Sequence, residues 1–242
     1  MTWFKSCLKN WHNLATFIQK TVGYLLRLIW RINIRGRENV PHEGPVILCA
    51  NHSGLIDGVV LLLASERTQT VIAKFELFKP PFGFIFSAGD GIAIDWKSPD
   101  RHALRRAIAA LGESKVLGIF PEGTRCRGQY DWLKDGVTYV LVNSIQKGYP
   151  VQVVPVTIIG TRNTGQPKSH FTRFGKRIEL HIAKPLSLAH LNLQTLDLSN
   201  RQQLHAAGEQ LRLLLQQQVR DVEKLTGMSM PEDDVSDHRE RP

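Results

Sequence analysis

The residues best equipped for chemistry begin with Asn51-His52-Ser53-Gly54-Leu55-Ile56-Asp57, in which a histidine and a carboxylate stand five positions apart. Side chains that face each other on a regular helix lie three or four apart, so these two meet only if a non-helical turn at Ser53-Gly54 folds the imidazole back. Asp57 would then fix the tautomer of His52 and favour its protonated form, making the pair a general base with its orienting partner. The same spacing also fits a histidine that ends a strand and an aspartate that caps the next helix. A second stretch, Phe120-Pro121-Glu122-Gly123-Thr124-Arg125, sets a glycine that admits close backbone approach beside a guanidinium able to hold a phosphate by paired hydrogen bonds. Standing alone, a loop arginine is more often solvated, and Glu122 could simply pair with a neighbouring cation.

Both stretches need strands to deliver them. Val46 to Ala50 is an apolar run that ends at His52, and Lys115 to Phe120 is another that runs into Pro121-Glu122. Further strands are expected at Arg31–Arg37, Thr70–Lys74, Gly91–Ile94, Val151–Ile159 and around Ile178–Ile182. Helices are expected near Gly58–Ala64, after a Ser98-Pro99-Asp100 start with Ser98 as cap, over Gly136–Gln146, and along the stripe from Leu204 to Leu225. Pro155 would interrupt a central ladder, so the sequence implies a bulge or an edge there. The alternation predicts an α/β fold with a mostly parallel central sheet flanked by helices. Ligands in such sheets sit beyond the carboxyl ends of strands, so His52 and Glu122–Arg125 should open on one edge. Between the third and fourth strands, Phe75, Phe78, Phe82, Phe84 and Phe86 are expected in the core, with an acyl-chain slot as the alternative.

Residues 1–30 read as an amphipathic helical segment, with Trp3, Trp11 and Trp30 among Lys5, Lys9, Lys20 and Arg27. No uncharged apolar run there approaches the roughly 20 residues of a spanning helix, which suits one or two helices lying in a membrane interface or packed on the domain. Residues 31–228 form the α/β domain, and 229–242 a charged tail expected to be disordered. The chain of 242 residues carries a formal net charge of +9, which favours anionic lipid or phosphorylated substrates. Nucleic acid is not expected, because the basic residues are scattered among apolar faces. Three separated cysteines, Cys7, Cys49 and Cys126, predict reduced thiols and no metal site. No secretory signal is expected.

Taken together, the two loops resemble the glycerolipid acyltransferase superfamily. Asn51-His52-x4-Asp57 is similar to its first block, Phe120 to Arg125 to its third and Val154-Pro155-Val156 to its fourth. Lys74, Leu77, Pro81, Gly83 and Gly91 to Asp95 resemble the second. One departure is Trp96, where many members carry an arginine; Lys97 and Arg101 are candidates to supply that charge. The resemblance implies an O-acyltransferase moving a fatty acyl group from acyl-CoA or acyl-carrier protein to the free hydroxyl of a lysolipid. The acceptor expected first is 1-acyl-sn-glycerol-3-phosphate, giving phosphatidic acid; another lysolipid, such as a lysophospholipid or lyso-ornithine lipid, is the alternative, and a non-catalytic membrane-binding protein a further one. It makes His52 the base and Asp57 its partner, and it assigns the acceptor's phosphate to Arg125 with Asn51, Glu122, Gly123, Thr124 and Lys74 around it. Backbone amides around Gly54 are candidates for the oxyanion. No cofactor is implied, and the enzyme is expected on a membrane surface, peripheral or monotopic, with its site toward the cytoplasm.

Overall fold

The computed structural model describes residues 17, 21, 23–79, 83, 91–94, 100–162 and 172–232. Among these, seven strands form one sheet in the order β1-β7-β6-β2-β5-β3-β4. The strands are β1 (Arg31–Arg35), β2 (Val46–Ala50), β3 (Gln69–Lys74), β4 (Ile92–Ile94), β5 (Val116–Ile119), β6 (Gln152–Ile159) and β7 (Arg177–Ile182). Every neighbouring pair is parallel except β6 and β7. A central parallel strand is covered on both faces and so reads as an unbroken apolar run. This is why β2, Val-Ile-Leu-Cys-Ala, is buried at all five positions.

Alternate residues of the strands feed two cores. Ile47, Cys49, Val153 and Ile159 face helices α2 (Arg101–Gly112), α3 (Asp135–Gln146) and α4 (Arg201–Thr226), whose Leu111, Leu141, Leu211 and Leu215 are buried against them. Val46, Leu48, Ala50, Val154 and Val156 face the other way, toward Val60 and Leu61 of the short α1 (Asp57–Leu61) and Leu26 of the helical residues 23–29. Each fully buried Leu or Ile side chain contributes about 1.5–3 kcal/mol relative to exposure. These two layers hold β2 and β5 rigid, and β2 and β5 carry the candidate site.

Several expectations need correction. Pro155 lies at neither a bulge nor an edge, because β6 is an interior strand with Pro155 in register with Cys49 of β2. Its carbonyl accepts from the Ala183 amide at 2.9 Å, so its missing N–H points the same way, where β7 has just ended and asks for no donor. The first strand stops at Arg35, since Gly36 turns left-handed with φ 78°. A Cβ there would lie 2.0 Å from the Ile182 carbonyl oxygen. The N-cap of α2 is Asp100, whose Oδ1 accepts from the Ala103 amide at 2.9 Å; Ser98 lies outside the described residues. Phe75 and Leu77 are surface side chains and not core, 55% and 37% exposed; Phe82, Phe84 and Phe86 lie outside the described residues. Order also runs past residue 229, as Met230 is buried. The expected disorder falls on 233–242, outside the described residues, as do most of residues 1–22. Of the N-terminal segment, Leu26 packs on the core while Tyr24, Leu25 and Leu28 are exposed. No helix among the described residues is long and apolar enough to cross a membrane.

Candidate active site

The chain leaves β2 through Asn51, whose side chain continues the strand's pairing with β6: its Nδ2 donates to the Ile158 carbonyl at 2.9 Å, and the Ile158 amide donates to its Oδ1 at 2.7 Å. Asn51 is fully buried, so it aims the next residue and presents no face to a substrate. That next residue is His52. Its Nδ1 lies 2.9 Å from Asp57 Oδ2, and the same oxygen accepts from the amides of Ser53 at 2.7 Å and Gly54 at 2.8 Å. The turn that folds the imidazole back is therefore built on the carboxylate it must meet. Gly54 is required in it, because a Cβ would come within 2.8 Å of the Thr161 backbone. Asp57 is wholly buried, whereas the His52 side chain is 20% exposed. With Nδ1 on the carboxylate, Nε2 on the far side of the ring is the atom left to take a proton. Phe120, the last residue before the second loop, stacks on the imidazole with ring centroids 4.3 Å apart.

The second loop is stapled to the first. Gly123, at φ 75°, donates to the Phe120 carbonyl at 3.0 Å and closes a tight turn. The turn sends the Glu122 side chain inward, where Oε2 accepts from the His52 amide at 2.7 Å. Oε1 accepts from the Tyr130 amide at 3.0 Å and the Cys126 thiol at 2.9 Å. The Cys126 amide donates in turn to the His52 carbonyl at 2.9 Å, and the Tyr130 hydroxyl to the Cys49 carbonyl at 3.1 Å. Burial pushes the Glu122 carboxyl up to about 8, against the pull of the thiol and the two amides. Burial first, and then the neighbouring Glu122, push the Cys126 thiol far up, so it stays protonated and can donate.

The candidates thus divide. His52 and Asp57 are joined as the spacing suggested. Glu122, fully buried, binds the two loops together and has no surface with which to hold a phosphate. Thr124 and Gly123 are buried in the turn, and Arg125 is half-buried, one residue from the Cys126–His52 backbone bond. Lys74 is half-buried at the carboxyl end of β3, on the same edge and beyond β5 from His52. Arg101 is exposed at the start of α2; Lys97 and Trp96 lie outside the described residues. The amides of Ser53 and Gly54, offered above for an oxyanion, are committed to Asp57. No group of three or more His, Cys, Asp or Glu side chains suited to a metal occurs among the described residues. Sequence reasoning missed Tyr130, the thiol of Cys126, and Met230, whose sulfur lies 3.7 Å from Asn51 Nδ2. Cys126 had a signal, four residues after a motif glutamate; Met230 had none.

An imidazole held by a buried carboxylate on the carboxyl edge of a parallel sheet, beside a glycine turn bearing an arginine, defines a general-base enzyme. Residues 31–159 match the Acyltransferase family, and the chain belongs to it. It is 30% identical over 139 residues to the 1-acyl-sn-glycerol-3-phosphate acyltransferase of Borreliella burgdorferi, covering 55% of this chain and 53% of that one. It is 27% identical over 111 residues to the enzyme of the same name from Bacillus subtilis, covering 45% and 56%. The matches therefore span about half the length of these curated relatives. The fold is shared with the crystal structure of the 1-acyl-sn-glycerophosphate acyltransferase PlsC from Thermotoga maritima, at a TM-score of 0.61 and 24% identity, covering 90% of this chain and 82% of that one.

Proposed function

We propose that this chain transfers a fatty acyl group from acyl-CoA or acyl-carrier protein to the free hydroxyl of 1-acyl-sn-glycerol-3-phosphate, forming phosphatidic acid for phospholipid synthesis. The observation that carries the reading is the 2.9 Å contact of His52 Nδ1 with buried Asp57, within a loop bonded to the one bearing Arg125. His52 Nε2 takes the acceptor's hydroxyl proton as that oxygen attacks the thioester carbonyl. Asp57 stabilises the imidazolium, which then returns the proton to the leaving thiolate. Oxygen–acyl bond formation and carbon–sulfur bond cleavage thus balance without a covalent acyl-enzyme or a metal. Arg125 and Lys74 face the acceptor's phosphate from two sides of the edge. The acceptor is a membrane lipid, met at the membrane surface from the cytoplasmic side.

A second acceptor class has one observation behind it: Trp96 follows Ile94-Asp95, where a phosphate-gripping arginine is usual in the superfamily. The test is purified protein with acyl-CoA against a panel of lysophosphatidic acid, lysophospholipids and lyso-ornithine lipid. Transfer to lysophosphatidic acid that survives a chelator and falls about 100-fold or more in His52→Ala is the expected result. Transfer only to other lysolipids would replace the acceptor; unchanged activity in His52→Ala would end the reading.

A further inference from the structure

The carboxyl edge that holds His52 is also where the described surface is most apolar. Leu55, in the His52 loop itself, is 43% exposed; Phe75 and Leu77, directly after β3, are 55% and 37% exposed. β7 runs antiparallel to β6, with Glu179 in register with Ile159 at the end of β6, so β7 begins at this same edge. The loop before it carries Phe174, at 83% the most exposed large hydrophobic side chain described. β1 is parallel to β7, Arg31 pairing with Arg177, and therefore starts there too, directly after Trp30. Trp30 stacks on Phe174 with ring centroids 5.9 Å apart and donates from Nε1 to the Arg173 carbonyl at 2.9 Å. Away from this edge and the N-terminal helical residues, the exposed large hydrophobics described are Leu213 and Leu225 of α4.

Charge completes the pattern. Arg31, Lys79, Arg173 and Arg177 are exposed around these side chains, and Lys79 Nζ sits 5.5 Å from the centre of the Phe75 ring. Aromatic and aliphatic tips among cations suit the headgroup zone of an anionic bilayer, where rings enter the acyl boundary and the cations meet lipid phosphate. They do not suit a protein partner of matching apolar face, whose contact would be depleted of such charges at its centre.

We propose that the carboxyl edge is the membrane-docking face, with Phe174 on one flank and Phe75 and Leu77 on the other entering the bilayer interface around His52. The docking is additional to whatever the N-terminal segment contributes, and it sets the base at the depth of the acceptor's hydroxyl. It rests on the acceptor being a membrane lipid.

The test is flotation of the full chain with vesicles of phosphatidylcholine, with and without phosphatidylglycerol, for wild type, Phe174→Ser, Phe75→Ser and the control variants Leu213→Ser and Leu225→Ser. All four side chains are mostly exposed, so unfolding curves should overlay. Expected is tighter binding to the anionic vesicles and about a five-fold loss in each of Phe174→Ser and Phe75→Ser, below the full-burial value because insertion is partial, with the controls unchanged. Wild-type binding by both edge variants, or an equal loss in Leu225→Ser, would overturn the face. Binding is read apart from catalysis. A chain that floats as expected yet acylates no lysolipid refutes the reaction and leaves the face. One that acylates micellar lysophosphatidic acid while its edge variants float like wild type refutes the face and leaves the reaction.

Discussion

Glu122→Gln removes a single charge from the molecule and keeps the side-chain shape. Both carboxylate oxygens face donors only: the His52 amide on one, the Tyr130 amide and the Cys126 thiol on the other. An amide has one acceptor oxygen, so in either orientation its NH2 group meets a buried backbone N–H and leaves that donor unpaired. The cost is about 1–3 kcal/mol of stability. There is an opposing contribution. The carboxyl is pushed up to about 8 in the fold from an ordinary value of 4.5. A group raised on folding contributes stability that is fully present below the lower value and is lost as pH rises through the upper one, at about 1.4 kcal/mol per pH unit. Wild type should therefore lose stability from about pH 4.5 to about pH 8 through this residue, while the glutamine variant has no such slope. Urea unfolding of both proteins across that range measures the difference, and kcat/KM for acyl transfer reports whether the His52 loop has shifted. Less stable at acid pH, flatter in its pH profile and weaker in transfer is the expected variant. A variant parallel to wild type at every pH would refute the raised carboxyl, and one with unchanged stability and transfer would show that Glu122 does not tie the loops.

Asp57→Asn keeps an oxygen for the Ser53 and Gly54 amides but removes the charge that supports an imidazolium; kcat should fall by about two orders of magnitude or more with KM nearly constant, read by steady-state transfer. Gly54→Ala drives a methyl into the Thr161 backbone, so the loop must move, and transfer should drop more than the thermal midpoint does. Cys126→Ala removes a donor to Glu122 and should lower stability by about 1 kcal/mol, with Cys126→Ser restoring much of it in denaturant unfolding.

The catalytic loops were legible because each is short, contiguous and preceded by an apolar run that can only be a buried strand; residues 46–57 and 116–125 declare both the delivery and the cargo. Mostly parallel order followed from alternation. What stayed hidden depends on partners distant in the chain. Asn51 looked like a ligand contact because nothing local reveals that Ile158, 107 residues on, takes both ends of its amide. Glu122 read as a surface ion-pair partner, since a carboxylate surrounded by amide and thiol donors is visible only once β2 and β5 lie side by side. Pro155 misled because an interior strand tolerates proline where its neighbour has ended, and the end of β7 is set by tertiary contact. The Phe75 segment misled because apolar composition alone does not separate core from a surface that faces lipid.

The Cys126–His52 backbone bond couples proton removal to anion recognition mechanically: neither loop can be remodelled without displacing the other. Evolutionary retuning toward a new head group is therefore least disruptive on the opposite bank of the crevice, where Lys74 ends β3 and the chain passes from β4 to α2. That is the stretch in which this sequence already departs from its superfamily, at Trp96. Swapping residues 95–101 between relatives of different acceptor preference should accordingly carry selectivity with it while leaving the turnover machinery in place.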